Sequence, residues 1–282
     1  MKVQYLVVLY FLSLFACSTS TVDTEKTNEE ETEIKKNKFD KLVWSDEFDY
    51  SGFPDSTKWT YSVGDGCPEL CGWGNNEFQY YTEKQKKNAW VADGILTIEV
   101  HEEKIGNSNF SSAKLITKDK GDWKYGKFEI RAKLPTGRGI WSAIWMMPTD
   151  TTIYGRWPKC GEIDIMENVG YDPDTIEASA HTGAYYFTIG TQKHDRQYLP
   201  DSDENFHTYI LEWEEDQYRV YVDDIHYFTF QNEGKGFMEW PFDQNFYLIL
   251  NIAYGGNWGA AKGLDTEKLP QKMEIDYVRV YE

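Results

Sequence analysis

Cysteine, histidine and basic residues are scarce in this chain of 282 residues. Four cysteines and five scattered histidines argue against a zinc site, which needs several such ligands close together. Lysine and arginine number 29 against 47 acidic residues, for a net charge of −18. Nucleic-acid-binding surfaces are basic, so we expect no nucleic-acid partner. Convincing helical periodicity is also missing from every window of twelve or more residues beyond the N-terminal region, which argues against a helical fold.

Aromatic residues, by contrast, are abundant. They make up 16% of the chain, with 11 Trp and 20 Tyr. Clefts that bind sugars stack pyranose rings on Trp and Tyr, so part of this excess is expected to line a binding surface. The alternative is a Tyr-rich β-sandwich without a ligand. The net negative charge of the chain would not affect binding of a neutral polysaccharide. It would repel a heavily sulfated one unless a local basic patch compensates.

The N-terminus predicts export. Lys2 precedes an apolar stretch at residues 5–16 that is too short to span a bilayer and is typical of a signal peptide. The stretch ends in Leu-Phe-Ala-Cys, which resembles a bacterial lipobox with Cys17 as the lipidated residue. An ordinary signal peptide with an incidental cysteine is the alternative. We therefore expect an exported lipoprotein anchored in the outer membrane through Cys17, on its periplasmic or its cell-surface face.

Residues 17–39 predict a tether. From residue 18 to residue 38 the only apolar residues are Val22 and Ile34, so the segment buries too little apolar surface to fold. It would hold a domain away from the membrane. We expect residues 40–282 to form one folded domain and to be a monomer.

The remaining pattern is that of short strands. Residues 127–133 alternate polar and apolar side chains, and Asp223 with Asp224 forms a hairpin turn signal between two such segments. Further strands are predicted at residues 96–100, 207–213, 218–222, 225–230, 246–252 and 273–278. Many short strands joined by Gly- and Asp-rich turns indicate an all-β sandwich.

Two of the cysteines form a candidate disulfide. Cys67 and Cys71 lie four residues apart in a Gly-rich loop, and in an exported protein a small disulfide loop is plausible. Cys160 is left over, and we expect it to be a buried thiol.

Three carboxylates fall within six residues of the segment Gly-Glu-Ile-Asp-Ile-Met-Glu-Asn at 161–168. Glu162 and Asp164 are two apart, so a strand places them on one face. Glu167 would fall on the opposite face of a regular strand, among core residues, where a lone carboxylate is costly. A β-bulge around Ile165 and Met166 would turn Glu167 back. We therefore predict three acids in line along one bulged strand.

This arrangement suits glycoside hydrolysis. Retaining glycosidases use two carboxyl groups roughly 5–5.5 Å apart, one as nucleophile and one as acid/base. After the bulge the two Glu are about four positions apart, ~13 Å of backbone, a span that a bent strand and inward-leaning side chains shorten. Packed like charges raise one pKa, so one carboxyl stays protonated while the other is ionised. The alternative is three solvated acids on an exposed edge.

The motif Glu-Ile-Asp-Ile-Met-Glu resembles the signature of glycoside hydrolase family 16 in its bulged form. Other segments agree in order along the chain, with the laminarinase-like branch the most similar: LVWSDEF at 42–48, WGNNEFQYYT at 73–82, GIWSAIWM at 139–146, WP at 157–158, AHTG at 180–183 and NIAYGGNW at 251–258. The resemblance covers residues 41–282. It implies a jelly-roll sandwich of two antiparallel sheets with a concave substrate cleft, and retaining chemistry without a catalytic cofactor.

The resemblance also implies roles for individual residues. Glu162 would be the nucleophile, Glu167 the acid/base, and Asp164 would tune the nucleophile by hydrogen bonding. Substrate-binding candidates, each with a structural role as its alternative, are Asn76, Glu77, Trp141, Trp145, Trp157, His181 and Trp258. Many family members bind a structural calcium ion on the convex face, which here would involve Glu47, Gly94 and Asp276.

The leading prediction is an endo-β-1,3-glucanase that acts on laminarin-type and mixed-linkage glucans. The runner-up keeps the fold and chemistry but acts on a marine galactan such as agar or carrageenan. A third hypothesis is a non-catalytic glycan-binding module. The sequence departs from the laminarinase branch at residues 186–188, where Tyr-Phe-Thr stands in place of a common Asn-His pair, so one subsite is expected to differ.

Overall fold

Eighteen β-strands dominate the part of the chain that the structure, a computed structural model, describes, residues 38–282. The predicted signal peptide, Cys17 and all but the last two residues of the tether lie outside these residues. The strands are β1 (Leu42–Asp46), β2 (Thr60–Tyr61), β3 (Gln79–Tyr81), β4 (Ala89–Ala92), β5 (Ile95–Ile105), β6 (Ser108–Ser112), β7 (Lys114–Ile116), β8 (Asp122–Trp123), β9 (Gly126–Lys133), β10 (Ile140–Pro148), β11 (Glu162–Val169), β12 (Thr175–His181), β13 (Lys193–Tyr198), β14 (His207–Trp213), β15 (Gln217–Val222), β16 (Ile225–Gln231), β17 (Phe246–Tyr254) and β18 (Gln271–Tyr281).

Helical structure is confined to short turns. One α-helical turn, α1 (Gly256–Gly259), follows β17, and 3₁₀ turns occur at Cys71–Gly74, Phe187–Ile189 and Thr266–Lys268. Within the described residues, no helix has the length and apolarity needed to cross a membrane.

The strands form two sheets. The larger has the order β16-β15-β14-β9-β18-β5-β6-β3, with β1 on β18 and β4 on β5. The smaller has the order β13-β12-β11-β10-β17-β7-β2, with β8 on β17. Pairing is antiparallel as predicted, except that β3 and β6 run parallel. The two ends of this part of the chain meet in the larger sheet, where Leu42 is paired with Tyr281.

The core lies between the sheets. Alternation of buried and half-buried positions along β9 and β14 turns one face of the larger sheet inward, as period-2 strands require. Ile130 and Trp213 of that face are fully buried, as are Ile144, Ile165 and Leu250 of the smaller sheet. Burial of each such side chain contributes about 1.5–3 kcal/mol.

The smaller sheet breaks the alternation. Seven of the eight residues of β11 are buried, so both faces of this strand are covered. Its inner face packs in the core, and its outer face is covered by polar and aromatic side chains. That outer face positions the predicted site.

Candidate active site

The predicted β-bulge is present in β11. Asp164 is paired with Ser179 of β12 and Glu167 with Glu177, so three steps along β11 match two steps along β12. The register with β10 shifts at the same place. Ile165 is the extra residue, because the pairing with β10 passes from Asp164 directly to Met166. The bulge brings Glu167 to the same face as Glu162 and Asp164.

A tyrosine from the other sheet supports the bulge. The Tyr227 hydroxyl of β16 donates a hydrogen bond of 2.9 Å to the Ile165 carbonyl oxygen, and both residues are buried. A bulge disturbs the regular ladder, so its backbone groups need other partners. Tyr227 supplies one through the core of the sandwich.

The three carboxyl groups have different hydrogen-bond partners. Asp164 accepts a hydrogen bond of 2.7 Å from Ser179 Oγ, and Glu167 accepts one of 3.0 Å from Trp141 Nε1. Glu162 is the most accessible of the three, with its side chain 18% exposed against 3% for Asp164. An attacking oxygen must reach the sugar, so this exposure fits the nucleophile assigned to Glu162.

Burial raises the pKa of all three acids, because it disfavours the charged form. Glu167 adds to the rise at Glu162, whereas Lys114 lowers the pKa of Glu162. At Glu167, Asp164 and Glu177 raise the pKa further, and only hydrogen bonds from Trp141 and Ser179 oppose the rise. Lys114 opposes the rise in pKa at Glu162, whereas no cation opposes it at Glu167, so ionisation is less disfavoured at Glu162.

His181 borders the two acids at the start of β11. Its Nε2 lies 3.4 Å from Asp164 Oδ2 and 3.8 Å from Glu162 Oε1. Burial, with a smaller contribution from His194, lowers the pKa of His181 to about 4, so the ring is neutral at pH 7. Glu162, Asp164 and His181 could each offer a ligand atom within 4.8 Å of the others, and no other such trio occurs among the described residues.

Aromatic side chains surround the acids. Trp141 and Trp145 lie on the outer face of β10, both half-buried, and the Trp258 ring of α1 is 5.4 Å from that of Trp141. Trp157 is 36% exposed, and its ring lies 5.9 Å from that of His181. These positions all leave ring surface near the carboxyls, as stacking on sugars requires.

The segment that departs from the laminarinase pattern joins this aromatic surface. Phe187 is 49% exposed, and its ring lies 5.7 Å from Trp157 and 5.8 Å from His181. Tyr186 packs edge-on against Trp157 at 5.7 Å. Tyr186 and Phe187 therefore enlarge the cluster of aromatic rings beside the Glu162 end of β11.

Asn76 and Glu77 lie on the opposite side of the acids, next to the end of β17. Glu77 forms a backbone bridge with Gly255 and accepts a hydrogen bond of 2.6 Å from Gln79. The exposed Asn76 side chain donates to Asn257 Oδ1 at 2.8 Å. The loop that carries both residues is thus tied to the segment that carries Trp258.

The far side of the acids, toward β13, holds a polar recess. Glu177 is buried beside Glu167 and is paired with Arg196 at 2.6 Å and His194 at 3.0 Å. Glu167, Arg196 and Trp258 line this recess together with Tyr171. It adjoins the Glu167 carboxyl group.

The residues of the predicted calcium site lie apart from the acids, in the larger sheet. Glu47 follows β1, Gly94 precedes β5 and Asp276 occupies a register shift in β18, so the strand pairing brings them near one another. Both Glu47 oxygens accept from Arg279, at 3.0 and 2.8 Å, and Asp276 accepts from Arg131 at 2.5 Å. As they stand, the two carboxylates fit arginine pairs rather than a cation site, and the calcium remains a prediction.

Cys67 and Cys71 are joined by a disulfide, and Cys160 is a buried free thiol. Burial raises the pKa of Cys160 to about 12, so it is protonated and unreactive at neutral pH.

Sequence reasoning missed four polar residues of the site: Lys114, Glu177, Ser179 and Arg196. The alternation Glu-Ala-Ser-Ala-His along β12 carries a usable signal, because period 2 places Glu177 and Ser179 on the face of His181. Nothing in the sequence singles out Lys114, since a lysine before Leu-Ile is equally typical of a surface strand.

The comparisons with known proteins agree with this geometry. The model of Glycosyl hydrolases family 16 matches residues 76–279. The chain is 49% identical over 247 residues to the beta-glucanase of Rhodothermus marinus, covering 85% of this chain and 84% of that protein. The chain belongs to glycoside hydrolase family 16.

Solved structures of this family confirm the predicted jelly-roll sandwich. The laminarinase from Rhodothermus marinus matches with a TM-score of 0.82 at 47% identity, covering 86% of this chain and 97% of that one. The laminarinase from Flavobacterium sp. UMI-01 matches with a TM-score of 0.77 at 40% identity, covering 86% and 100%. Both the fold class and the enzyme class predicted from the sequence are confirmed.

Replacing Trp141 with phenylalanine should move the basic limb of the family 16 enzyme's pH profile. The indole N–H lowers the pKa of Glu167, so its loss raises that pKa. A group that acts protonated then keeps its proton to higher pH, and the basic limb of kcat/KM against pH should move upward. A limb that moves downward would contradict the acid role of Glu167.

Replacing Tyr227 with phenylalanine should weaken the bulge. The Ile165 carbonyl would stay buried without this donor, at a cost of about 1–3 kcal/mol in the free energy of unfolding, measured by urea denaturation. Tyr209→Phe is the matched control, because the Tyr209 hydroxyl is buried and has no hydrogen-bond partner among the described residues. Equal losses in the two variants would contradict a role for Tyr227 at the bulge.

Proposed function

We propose that this protein is a retaining endo-β-1,3-glucanase that cuts laminarin-type glucans and, more slowly, mixed-linkage β-glucans. The observation that carries the proposal is the line of three acids on bulged β11, flanked by exposed indole rings. The glucanase and laminarinase activities named for the relatives support a β-glucan over other glycans. Arg196 and His194, the basic residues beside Glu167, are both paired with Glu177 and so do not favour a sulfated galactan.

In the first step, a Glu162 carboxylate oxygen attacks the anomeric carbon. The bond from that carbon to the leaving sugar's oxygen breaks, and the oxygen takes the proton of Glu167. The product is a glycosyl ester on Glu162 and a carboxylate on Glu167. The surroundings of the two glutamates support these separate roles. Lys114 favours a negative charge on Glu162, whereas Asp164 and Glu177 disfavour one on Glu167.

In the second step, Glu167 takes a proton from water as the water oxygen attacks the same carbon. The ester bond breaks and Glu162 leaves as a carboxylate, so two inversions give net retention. Asp164, held by Ser179, lies between the two acids and orients the nucleophile. His181, which is neutral at pH 7, borders Glu162 without placing a charge beside it.

Indole rings and amide groups on either side would hold the chain across β11. Trp145, which is hydrogen-bonded to Asn251 of β17, and the Asn76 and Glu77 loop, which is tied to the segment of Trp258, would hold sugars toward β17. Tyr171 and Arg196, which line the recess beside Glu167, would hold sugars toward β13. Stacking on Trp faces favours sugar rings with apolar faces, as in β-linked glucose.

Alanine replacements of the two glutamates separate the proposed roles. Glu162→Ala should abolish turnover on laminarin while binding is kept, because no ester can form. Glu167→Ala should lose at least about 100-fold on laminarin, yet much less on an aryl β-glucoside oligomer whose leaving group needs no proton. Reducing-sugar release and steady-state kinetics measure both.

The substrate is tested by reducing-sugar release from laminarin, lichenan, agarose and carrageenan side by side. The proposal expects fast release from laminarin and slower release from lichenan. Release from a galactan but not from laminarin would keep the carboxylate chemistry and overturn the substrate. Full activity of the Glu162→Ala variant would contradict the assignment of Glu162 as the nucleophile.

A further inference from the structure

Tyr198 is the last residue of β13, the strand at the edge of the smaller sheet, and 65% of the residue is exposed. Single exposed aromatic residues are normal on a protein surface, so exposure alone implies no function. The position of Tyr198 relative to the three acids is what distinguishes it.

The contacts of β13 fix the face on which Tyr198 lies. His194 and Arg196 both reach the buried Glu177 carboxylate, at 3.0 and 2.6 Å. Glu177 is paired in register with Glu167 and therefore lies on the face of the acids. Since side chains alternate along a strand, Tyr198 shares that face with His194 and Arg196.

The strand register places Tyr198 next to the recess beside Glu167. Tyr198 is paired with Thr175 of β12, which lines that recess together with Arg196 and Trp258. Two strand spacings, about 10 Å, separate β11 from β13, a distance that two linked sugar rings can span. The recess and Tyr198 therefore follow one another on the way from Glu167 to the edge of the sheet.

The recess offers polar groups to a sugar that lies between Glu167 and Tyr198. Arg196 donates a hydrogen bond from Nε to the buried Glu177, which holds the guanidinium in place. Because 53% of the Arg196 side chain is exposed, its other N–H groups can donate to sugar hydroxyls. A sugar in the recess would lie beside the carboxyl that protonates the leaving oxygen.

The edge of β13 suits a glycan better than a protein partner. A protein segment would add to the sheet by pairing its backbone with the open edge, and charged side chains on an edge strand oppose such pairing. Lys193, Asp195 and Arg196 place charges of both signs along β13. A glycan needs only an aromatic ring and hydrogen-bond partners, which Tyr198 and Arg196 supply.

We propose that Tyr198 is a specificity-determining residue on which the second sugar of the leaving group stacks, with the first sugar in the recess. The inference rests on the proposed function, in which Glu167 protonates the oxygen of the first leaving sugar. The next sugar then lies one ring further toward β13, where Tyr198 stands. The protein should therefore cut most efficiently where at least two sugars follow the scissile bond.

The test compares the wild type, Tyr198→Ala and Tyr198→Phe on two substrates. An aryl β-laminaribioside has only the aryl group beyond the cut bond, whereas laminarihexaose has sugars there. Loss of the ring should lower kcat/KM on laminarihexaose about three- to tenfold, mainly through KM, and leave kcat/KM on the aryl substrate unchanged. Tyr198→Phe keeps the ring and should behave like the wild type on both.

The site of cutting gives a second readout, which a merely structural role would not move. Laminarihexaose labelled at its reducing end with an oxygen isotope shows by mass spectrometry how many sugars leave. In the wild type, the labelled fragments should be mostly two sugars or longer. Tyr198→Ala should raise the share of labelled glucose, because the second leaving sugar no longer adds binding energy.

Phe53→Ala is the matched control, because Phe53 is 38% exposed and follows Gly52, which is bridged to Val91 of β4 in the larger sheet. It should change neither the kinetics nor the site of cutting. Equal losses on both substrates in Tyr198→Ala, or an unchanged site of cutting, would overturn the proposal. If the wild type cuts neither laminarin nor laminarihexaose, the proposed function itself fails, which is a separate outcome.

Discussion

One extra residue in β11 is the constraint on which the site depends. Without Ile165 out of register, Glu167 would point into the core between the sheets, and only two acids would face the cleft. With it, Glu162, Asp164 and Glu167 share a face, and the Tyr227 hydroxyl from the opposite sheet takes up the displaced carbonyl. The larger sheet thus contributes to the chemistry, although the acids lie on the smaller one.

The bulge brings three carboxyl groups together on a buried surface, where negative charge is unfavourable. The neighbouring residues make ionisation less unfavourable at Glu162 than at Glu167. Only Glu162 has a nearby cation to support its ionised form, whereas Glu167 is bordered by Asp164 and Glu177. The raised carboxyl pKa values also affect stability. The folded state holds protons that the unfolded state releases, so these groups favour folding less as pH rises above the ordinary carboxyl pKa. The site therefore weakens the fold at the pH where its nucleophile ionises, a common cost of function.

Much of the fold could be predicted because its strands show period 2. The strands predicted at residues 127–133 and 207–213 correspond to β9 and β14, and the two-residue turn at Asp223 and Asp224 joins β15 to β16. The bulge was predictable for a physical reason, because burying Glu167 among apolar side chains would have been too costly. The jelly-roll topology and the individual roles came from the family resemblance, not from periodicity.

The features that the sequence did not predict depend on contacts between residues that are distant in the sequence. Tyr227 and Ile165 are 62 residues apart in the sequence. Lys114 lies over the rings of Trp73 and Trp145, which belong to other segments of the chain. The arginine partners of Glu47 and Asp276 likewise come from strands that a linear pattern does not bring together.

The central claim is that Glu162 attacks the sugar and Glu167 supplies the proton, so that the two displacements retain configuration. The most direct test follows the anomeric protons of the new reducing ends by NMR in the first minutes of laminarin-oligosaccharide hydrolysis, before mutarotation mixes them. Retention predicts that the β-anomer appears first. Initial appearance of the α-anomer would mean direct displacement by water and would contradict the nucleophile assigned to Glu162.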